Sequence, residues 1–136
     1  MQKVIIIGAG ARAAEIEEYI FENNKLNPAI ELFGFLDDSR ENHQKPQLKL
    51  PLLGSIFTYD VPKKVELILA INNLTFSSKI INHFSLKNTK FTNFIHHKSR
   101  VFKTAKIGVG NIFCPYTQIG FNVDVRNFNA FNNKTS

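Results

Sequence analysis

The sequence predicts an α/β fold, a short parallel sheet with helices, followed by the first two coils of a left-handed parallel β-helix. Two observations lead to this prediction. Apolar runs typical of buried strands alternate with helical patterns up to residue 95, and a glycine-rich loop joins the first run to the first helix. After His97 the helix formers become scarce, and apolar residues recur at every sixth position. We therefore expect two domains, covering residues 1–97 and 98–136.

The first part of the sheet follows from the opening segments of the chain. Val4–Ile7 is a continuous β-branched run, which is typical of a strand buried on both faces. The apolar positions of Ala13–Asn23 recur at helical spacing between glutamates, so this segment is predicted to be a helix. Glu31–Leu36 is the predicted second strand, and it ends at Asp37 and Asp38.

Polar and apolar segments alternate between residues 39 and 95. Ser39–Pro51 lacks periodicity and is predicted to be a surface loop, and Leu52–Ser55 is a brief apolar segment. The pattern then predicts a third buried strand at Val65–Ile71, a helix at Leu74–Phe84 and a fourth strand at Phe91–Ile95. Two strand–helix–strand units with short connections indicate a right-handed parallel sheet.

A six-residue period governs the C-terminal part of the chain. Its apolar positions are Val101, Ile107, Phe113, Ile119, Val125 and Phe131. The small or medium-sized residues found four positions after each are Ala105, Asn111, Thr117, Val123, Asn129 and Thr135. Such a period fits one side of a triangular β-helix coil, with the apolar residue inside and the smaller one at the corner. The alternative is a meander of short strands with the same spacing.

Composition limits the classes of function. With 43% hydrophobic and 21% charged residues, the chain of 136 residues is typical of a folded domain. No apolar run approaches the ~18 residues of a membrane span. The single cysteine, Cys114, excludes an intrachain disulfide framework and provides no metal cluster. We expect a cytoplasmic protein without a membrane span or a metal.

The net charge of +6 is unevenly distributed, because residues 61–136 hold eleven Lys and Arg against two Asp and Glu. The basic residues between Lys87 and Lys106 form a band that can bind a phosphate-bearing ligand or simply lie in solvent. No helix-turn-helix, zinc-finger or aromatic-interleaved strand motif accompanies this band, so we expect no nucleic-acid partner.

The glycine-rich loop marks a candidate nucleotide site. Gly8 permits a tight turn, Gly10 lets a ligand approach the backbone, and Ala13 allows close packing of helix and strand. The helix N-terminus favours a phosphate, and Asp37 is placed to accept hydrogen bonds from ribose hydroxyls. A sheet of four strands lacks the second half of a dinucleotide-binding domain, so a single nucleotide, with a sugar attached, is the expected ligand. The alternative is a purely structural glycine turn.

Six segments, in this order along the whole chain, resemble the bacterial nucleotide-sugar acetyltransferases typified by sialic-acid O-acetyltransferase and the UDP-4-amino-sugar N-acetyltransferase. They are VIIIGAGARAAEI (4–16), GFLDD (34–38), LLGS (52–55), LILAINN (67–73), FIHHKS (94–99) and KIGVGNIFCPYTQIG (106–120). The resemblance implies a Rossmann-like acceptor domain and a hexapeptide-repeat β-helix that holds acetyl-CoA between the subunits of a trimer. The implied activity is acetyl-CoA-dependent acetylation of a nucleotide-linked amino sugar or sialic acid in surface-glycan biosynthesis.

The same resemblance implies the residues of an acceptor site for a nucleotide sugar, with a UDP-sugar favoured. Those implied to face the phosphates are Gly8, Ala9, Gly10 and Arg12. Those implied to meet the nucleoside or to line the cleft are Asp37, Asp38, Asn72 and Asn73.

The chain departs from the family pattern at several positions. Ala11 and Arg12 stand in place of a glycine and a histidine. Asn72 replaces a glycine, and Ser77 replaces a basic residue. The family's catalytic histidine follows a stretch that matches Phe131–Ser136, so no catalytic residue is expected within this sequence. The 136 residues alone are therefore expected to acetylate little or not at all.

The histidines and the cysteine are expected to have structural surroundings. His96 and His97 fall at the domain junction, where one is expected to be packed and the other solvated. His43 is expected in solvent and His83 near a helix end. Cys114 follows an inward position and is expected in the wall of a coil.

Three functions agree with these patterns to different degrees. In the first hypothesis, the chain is the acceptor-binding part of an acetyltransferase. In the second, it is a non-catalytic module for nucleotide-sugar binding and oligomerisation. A small NAD-binding oxidoreductase domain is less favoured, because the six-residue period argues against it. Self-association, with a trimer favoured, is expected because some apolar residues of the coils cannot point inward. The residues considered for that surface are Phe102, Ile112, Phe121, Phe128 and Phe131.

Overall fold

The computed structural model describes residues 1–44 and 48–132. The chain divides into two compact units, Met1–Lys90 and Phe91–Ser136. The first is an α/β unit with a parallel sheet, and the second is the start of a parallel β-helix, so the predicted fold class is confirmed. The division falls before the boundary expected after His97, because the strand that follows Phe91 belongs to the coils.

The first unit contains a four-stranded parallel sheet in the order β3-β2-β1-β4. Its strands are β1 (Gln2–Ile7), β2 (Ile30–Leu36), β3 (Leu52–Gly54) and β4 (Val65–Leu69). The central strand β1 pairs with β2 on one side and with β4 on the other. Val4–Ile7 is therefore buried throughout, as the unbroken β-branched run predicts.

In the described part of the first unit, three helices accompany the sheet: α1 (Ala11–Leu26), α2 (Arg40–Gln44) and α3 (Leu74–Leu86). Helix α1 buries the apolar side chains of Ala13, Ile16 and Ile20. It also buries the carboxylate of Glu17, which accepts hydrogen bonds from the backbone N–H groups of Lys49 and Leu50 at 3.0 Å each. This pair of bonds ties the helix to the segment that leads into β3.

Two elements of the sheet differ from the sequence prediction. Leu52–Ser55 was predicted only as a brief apolar segment, but its first three residues form the edge strand β3, which pairs with β2. The predicted fourth strand at Phe91–Ile95 is absent from this sheet, and Phe94–Ile95 instead pairs with a strand of the second unit. The predicted loop Ser39–Pro51 contains the short helix α2, and residues 45–47 lie outside the described part.

The second unit is built from two-residue strands. They are β5 (Phe94–Ile95), β6 (Arg100–Val101), β7 (Lys106–Ile107), β8 (Ile112–Phe113), β9 (Gln118–Ile119), β10 (Asp124–Val125) and β11 (Ala130–Phe131). They pair in parallel as β5-β8-β11, β6-β9 and β7-β10. Three stacked sides with a repeat of six residues per side are the geometry that the sequence period predicts.

The inward positions predicted from the period form the core of the coils. Phe113, Ile119 and Val125 are buried together. Val101, Ile107 and Phe131 are partly buried against them, and so is Ala105, one of the predicted corner residues. The predicted inward positions are thus confirmed. Thr135, the last of the predicted corner residues, lies outside the described residues.

One corner of the coils carries a ladder of asparagines, which we call the asparagine ladder: Asn93, Asn111 and Asn129. The backbone N–H of Asn111 donates to Oδ1 of Asn93 at 2.8 Å, and that of Asn129 donates to Oδ1 of Asn111 at 2.9 Å. Asn111 is 0% exposed, and its Nδ2 donates to the carbonyl oxygen of Arg126 at 2.7 Å. The ladder therefore gives each turn at this corner hydrogen-bond partners that the two-residue strands do not provide.

The corners also contain residues in the left-handed region of φ. Gly110, Tyr116, Asn122 and Phe128, again six residues apart, have φ between 56° and 73°. Gly110 needs to be glycine for a second reason, because a Cβ there would overlap the ring of Phe128. The six-residue period therefore appears in the backbone dihedral angles as well as in the positions of the apolar residues.

The histidines fall largely where the sequence placed them. His96 is buried and His97 exposed, which confirms one packed and one solvated residue, and the two rings stack at 4.4 Å between centroids. His83 lies in the last turn of α3, as predicted. The side chain of His43 is outside the described part. Cys114 is buried in the second unit.

Candidate functional site

A cleft of about 250 Å³ opens at the carboxyl ends of β1, β2 and β4. Its lining residues are Gly8, Ala9, Gly10, Asp37, Asp38, Asn42, Ile56, Ala70, Ile71 and Phe76. This is the edge of a parallel sheet at which α/β proteins bind ligands. Five of the eight predicted site residues line the cleft, namely Gly8, Ala9, Gly10, Asp37 and Asp38.

Gly8 is required by the fold itself. Its φ of +103° is rarely adopted by other residues, and a Cβ would lie 2.8 Å from the carbonyl oxygen of Ala70. Its N–H donates to the carbonyl oxygen of Leu36 at 2.7 Å. Gly8 therefore connects the ends of three strands, and a structural turn is a sufficient reason for this glycine.

Gly10 is different, because no contact with residues 1–44 or 48–132 requires it to be glycine. A Cβ at this position would meet no heavy atom within 4 Å, and its φ is −90°. Gly10 is the N-cap of α1 and provides no side chain to the helix, whose first turn contains no acidic residue. The N–H groups of this turn lack partners within the helix, so the uncovered backbone at Gly10 is suited to an anionic or polar ligand.

The carboxylate of Asp37 joins the end of β2 to the glycine-rich loop. Its Oδ2 accepts a hydrogen bond from the N–H of Ala9 at 2.9 Å, and its Oδ1 accepts one from the N–H of Ser39 at 2.7 Å. The Nδ2 of Asn42 lies 3.4 and 3.5 Å from the two oxygens. Asp37 thus fixes the shape of the cleft, and each oxygen retains acceptor capacity toward a ligand.

Asp38 holds the opposite wall of the cleft. Its Oδ1 accepts a hydrogen bond from the N–H of the buried residue Ile56 at 3.0 Å. The side chain is otherwise exposed, and Oδ2 has no hydrogen-bond donor among the described residues. This oxygen is the acceptor in the cleft with the most freedom to bind a hydroxyl or an N–H group of a ligand.

Helix α3 presents a second N-terminus near the cleft. Asn73 is its N-cap, and the Asn73 Oδ1 accepts a hydrogen bond from the N–H of Phe76 at 3.0 Å. Phe76 lines the cleft, whereas Asn72 and Asn73 are exposed and do not. The side chain of Asn73 is thus used to cap a helix, which is a common role for asparagine.

Arg12 lies in the first turn of α1 and does not line the cleft. Its side chain is half-buried, and its Nε is buried without a hydrogen-bond partner among residues 1–44 and 48–132. The guanidinium therefore adds positive charge to the helix end that bears Gly10, without a contact to the cleft.

Sequence reasoning missed five residues that line the cleft: Asn42, Ile56, Ala70, Ile71 and Phe76. Ala70 and Ile71 could have been found, because they end the predicted third strand at the ligand-binding edge. Asn42 and Ile56 come from polar or irregular segments that carry no periodic signal. Their place depends on the bonds to Asp37 and Asp38.

The described residues provide no evident site for a metal ion, since no three of their His, Cys, Asp and Glu side chains converge. Among the same residues, no helix has the length and apolar character needed to cross a membrane. The cleft combines two carboxylates, an aromatic ring and an uncovered helix N-terminus, which are groups suited to binding.

The chain is similar in structure to acetyltransferases of known structure. The acetyltransferase domain of PglB from Neisseria gonorrhoeae, in complex with acetyl coenzyme A, aligns with a TM-score of 0.77 at 20% identity, over 96% of this chain and 62% of that one. PerB from Caulobacter crescentus, in complex with CoA and GDP-perosamine, aligns with a TM-score of 0.75 at 17% identity, over 96% and 59%. The chain therefore spans about 60% of the length of PglB and PerB structures that share its fold.

Comparison of the sequence with curated proteins found no match. The family model of the PglD N-terminal domain, in contrast, matches residues 3–84, which include every lining residue of the cleft and all of β1 except its first residue. This match extends over more than half of the chain, and it agrees with the resemblance carried by the glycine-rich loop and the Asp37-Asp38 pair. The chain belongs to the PglD N-terminal domain family.

Proposed function

We propose that the first unit is the acceptor domain of an acetyl-CoA-dependent acetyltransferase and binds a nucleotide-linked amino sugar or sialic acid for surface-glycan biosynthesis. The observation that carries the proposal is the uncovered backbone at Gly10, at the N-terminus of α1 within the cleft. The described residues leave open space where a Cβ of residue 10 would lie. In a member of the PglD N-terminal domain family, this open backbone supports a ligand that lies against it.

Electrostatics suggests how a nucleotide sugar would lie in the cleft. The Asp37 carboxylate already accepts the N–H of Ala9, so a phosphate would be repelled from that point. We therefore place the phosphates beside Gly10 and the first turn of α1, with the positive charge of Arg12 on the same turn. Oδ2 of Asp38, which has no donor among the described residues, can accept from a hydroxyl or a base N–H, and Asp37 can accept from the ribose.

The nucleotide remains a choice between two candidates. We favour UDP from the family resemblance, and the PerB structure with GDP-perosamine makes a GDP-sugar the competing ligand. NAD is disfavoured, because the sheet has four strands and is followed by coils instead of a second nucleotide-binding half.

Acetyl-CoA is the proposed co-substrate, since the related PglB domain is in complex with acetyl coenzyme A. We assign none of the described residues to the thioester or to a catalytic base. The cytoplasm stays the proposed location, the compartment in which a reduced lone thiol such as Cys114 is usual.

Self-association, with a trimer favoured, is proposed for the second unit. Tyr116 and Phe121 are 65% and 66% exposed, and Val109 and Val123 are also exposed, so the coils present apolar surface. The surface differs from the expected one at Ile112, which is 3% exposed. Phe131 stacks on Phe113 and Phe128 packs edge-on against Phe91, so Phe121 is the main exposed aromatic of the expected set.

Calorimetric titration of the chain with a UDP-sugar, a GDP-sugar and NAD tests the acceptor site. Gly10→Ala is the decisive variant, because its Cβ has room in the protein but would occupy the space of the ligand. We expect at least a tenfold loss of affinity for whichever sugar nucleotide binds. Gly120→Ala is the matched control, since its Cβ would make only one ordinary contact, 3.9 Å from Val123.

Equal affinity of the Gly10→Ala variant and the unchanged chain would show that the ligand lies elsewhere. Binding of NAD without any response to the sugar nucleotides would overturn the proposed function. Light scattering at several concentrations tests self-association separately, and a monomer throughout would contradict the proposed trimer.

A further inference from the structure

A second and larger hollow lies at the amino end of β4, whereas the cleft lies at the carboxyl end of the same strand. Its volume is about 590 Å³, within the range usual for small-molecule sites. We call it the lysine hollow. Its lining residues are Val61, Pro62, Lys63, Lys64, Val65, Glu66, Lys87, Asn88, Thr89 and Lys90.

The charge of the lysine hollow is strongly positive. It is lined by four lysines and by one acidic residue, Glu66, whose Oε2 accepts a hydrogen bond from Nε2 of Gln2 at 3.2 Å. In the described part of the chain, none of the four lysines forms a salt bridge. A concave surface with several cations and few counter-charges concentrates positive potential and attracts anions.

Helix capping explains only one of these lysines. Lys87 is the C-cap of α3, where a cation complements the helix dipole. Lys63 and Lys64 come instead from the turn before β4. Lys90 follows α3, and its own carbonyl oxygen accepts a hydrogen bond from the N–H of Leu67 in β4 at 2.9 Å. Separate segments therefore bring positive charge to the same hollow.

The backbone fixes the segments that carry the lysines. The N–H of Val65 donates to the carbonyl oxygen of Pro62 at 3.2 Å, which closes the turn that holds Lys63 and Lys64. Lys64 has a φ of 69° and Asn88 a φ of 57°, in the left-handed region that is uncommon for residues other than glycine. The N–H of Asn88 donates to the carbonyl oxygen of Ser85 at 3.1 Å. The hollow is therefore pre-formed by hydrogen-bonded turns on both sides.

We propose that the lysine hollow binds a phosphate-ester anion at a site separate from the cleft. Each ammonium group offers three N–H donors, and several of them can surround one phosphoryl group without a fixed geometry. The anion belongs either to a soluble phosphorylated metabolite or to the headgroup of a phospholipid. The shared chemistry is the phosphoryl group, and the source is decided by experiment.

Inorganic tripolyphosphate serves as the soluble probe in an NMR titration of the 15N-labelled chain. We expect the amide signals of residues 63–66 and 87–90 to shift. Lys63→Gln/Lys90→Gln should weaken this binding at least tenfold. Lys25→Gln/Lys79→Gln removes the same charge from exposed positions outside the hollow and should leave the affinity within about twofold, a residual change attributable to net charge. All four side chains are exposed, so both variants should keep the thermal unfolding midpoint of the unchanged chain.

Sedimentation with vesicles tests the lipid source. Binding to phosphatidylglycerol but not to phosphatidylcholine vesicles, lost in Lys63→Gln/Lys90→Gln and kept in the control, would assign the hollow to a phospholipid headgroup. The proposal is overturned if neither probe binds, if both variants weaken binding equally, or if tripolyphosphate shifts only residues 8–13. The last outcome would still support an anion in the cleft, so this test and that of the acceptor site fail independently.

Discussion

The carboxylate of Asp37 accepts a hydrogen bond from the backbone N–H of Ala9 at 2.9 Å, across 28 positions of sequence. This bond fixes the glycine-rich loop against the end of β2. It means that the acidic residue expected to recognise a ribose also shapes the loop expected to recognise a phosphate. Substitution of Asp37 therefore affects both the fold and the ligand.

Asp37→Ala should reduce both stability and affinity. Loss of the acceptor for the N–H groups of Ala9 and Ser39 should lower the free energy of unfolding by about 1–3 kcal/mol. Binding of the preferred sugar nucleotide should weaken by about 1–3 kcal/mol as well. Urea unfolding and calorimetry measure the two effects, with Asp60→Ala at an exposed position as the control. Unchanged stability would contradict the role of Asp37 in holding the loop.

Gly8→Ala should destabilise the first unit far more than Gly10→Ala. At Gly8 the φ of +103° alone costs an alanine about 1–3 kcal/mol, and its Cβ would crowd the Ala70 carbonyl oxygen. At Gly10 the Cβ has open space, so the loss should be at most about 1 kcal/mol, the usual effect at an N-cap. Chemical unfolding of the two variants provides the comparison, and equal losses would disprove the distinction between them.

Asn111→Ala should destabilise the coils by about 1–3 kcal/mol. The substitution leaves the N–H of Asn129 and the carbonyl oxygen of Arg126 without their partner. Asn129→Ala is the matched control, because its side chain is exposed and, among the residues that the structure describes, donates only to the carbonyl oxygen of Asn127, at 3.2 Å. Its cost should stay below about 1 kcal/mol. Thermal unfolding monitored by circular dichroism would show the difference.

His83→Phe should stabilise the first unit by about 1 kcal/mol. Nε2 of His83 is buried without a hydrogen-bond partner in the described part, and the ring packs edge-on against Phe57 and Phe84. A phenyl ring keeps this packing and removes the unpaired nitrogen. His96→Phe should have the opposite effect, because Nδ1 of His96 accepts the N–H of Lys98 at 3.1 Å. Urea unfolding should show a higher free energy of unfolding for His83→Phe and a lower one for His96→Phe than for the unchanged chain.

A polypeptide of these 136 residues should bind the sugar nucleotide yet acetylate it little or not at all. Residues 98–136 contain no histidine, and loss of a positioned base typically lowers the rate by ~10²–10⁴-fold. Release of free thiol from acetyl-CoA in the presence of UDP- and GDP-amino-sugars measures turnover. A rate near one per second would contradict this expectation and direct attention to Asp124 or Cys114.

The parts of the fold that were predicted correctly are those with a strong period. The β-branched run of β1 is typical of a strand buried on both faces, and the six-residue spacing from Val101 onward is typical of apolar side chains inside the coils. Ile95 shows how a local pattern misleads, because it looks like the end of a sheet strand. It also lies six residues before Val101, in register with the coils, and the structure pairs it with Phe113.

The sequence predicted the residues of the candidate site only where the backbone geometry of the sheet determines their position. Gly8, Gly10 and the ends of β2 and β4 follow from the topology of a parallel sheet. The use of Asn73 as a helix cap depends on where α3 begins, to within one residue. The position of Ile56 depends on a hydrogen bond to Asp38, 18 residues away in sequence. Local sequence patterns do not contain such tertiary bonds.

The asparagine ladder restricts the insertions and deletions that the coils can accept, because its hydrogen bonds require 18 residues in each coil. Asn93 bonds to Asn111 and Asn111 to Asn129, each across 18 positions, and Thr104 accepts the N–H of Asn122 across the same interval. One added residue inside a coil would break every later rung and turn inward side chains such as Ile119 outward. Changes of length can therefore be accommodated only as whole coils or as loops that extend from a corner. The bonds between coils thus fix the number of residues in each coil.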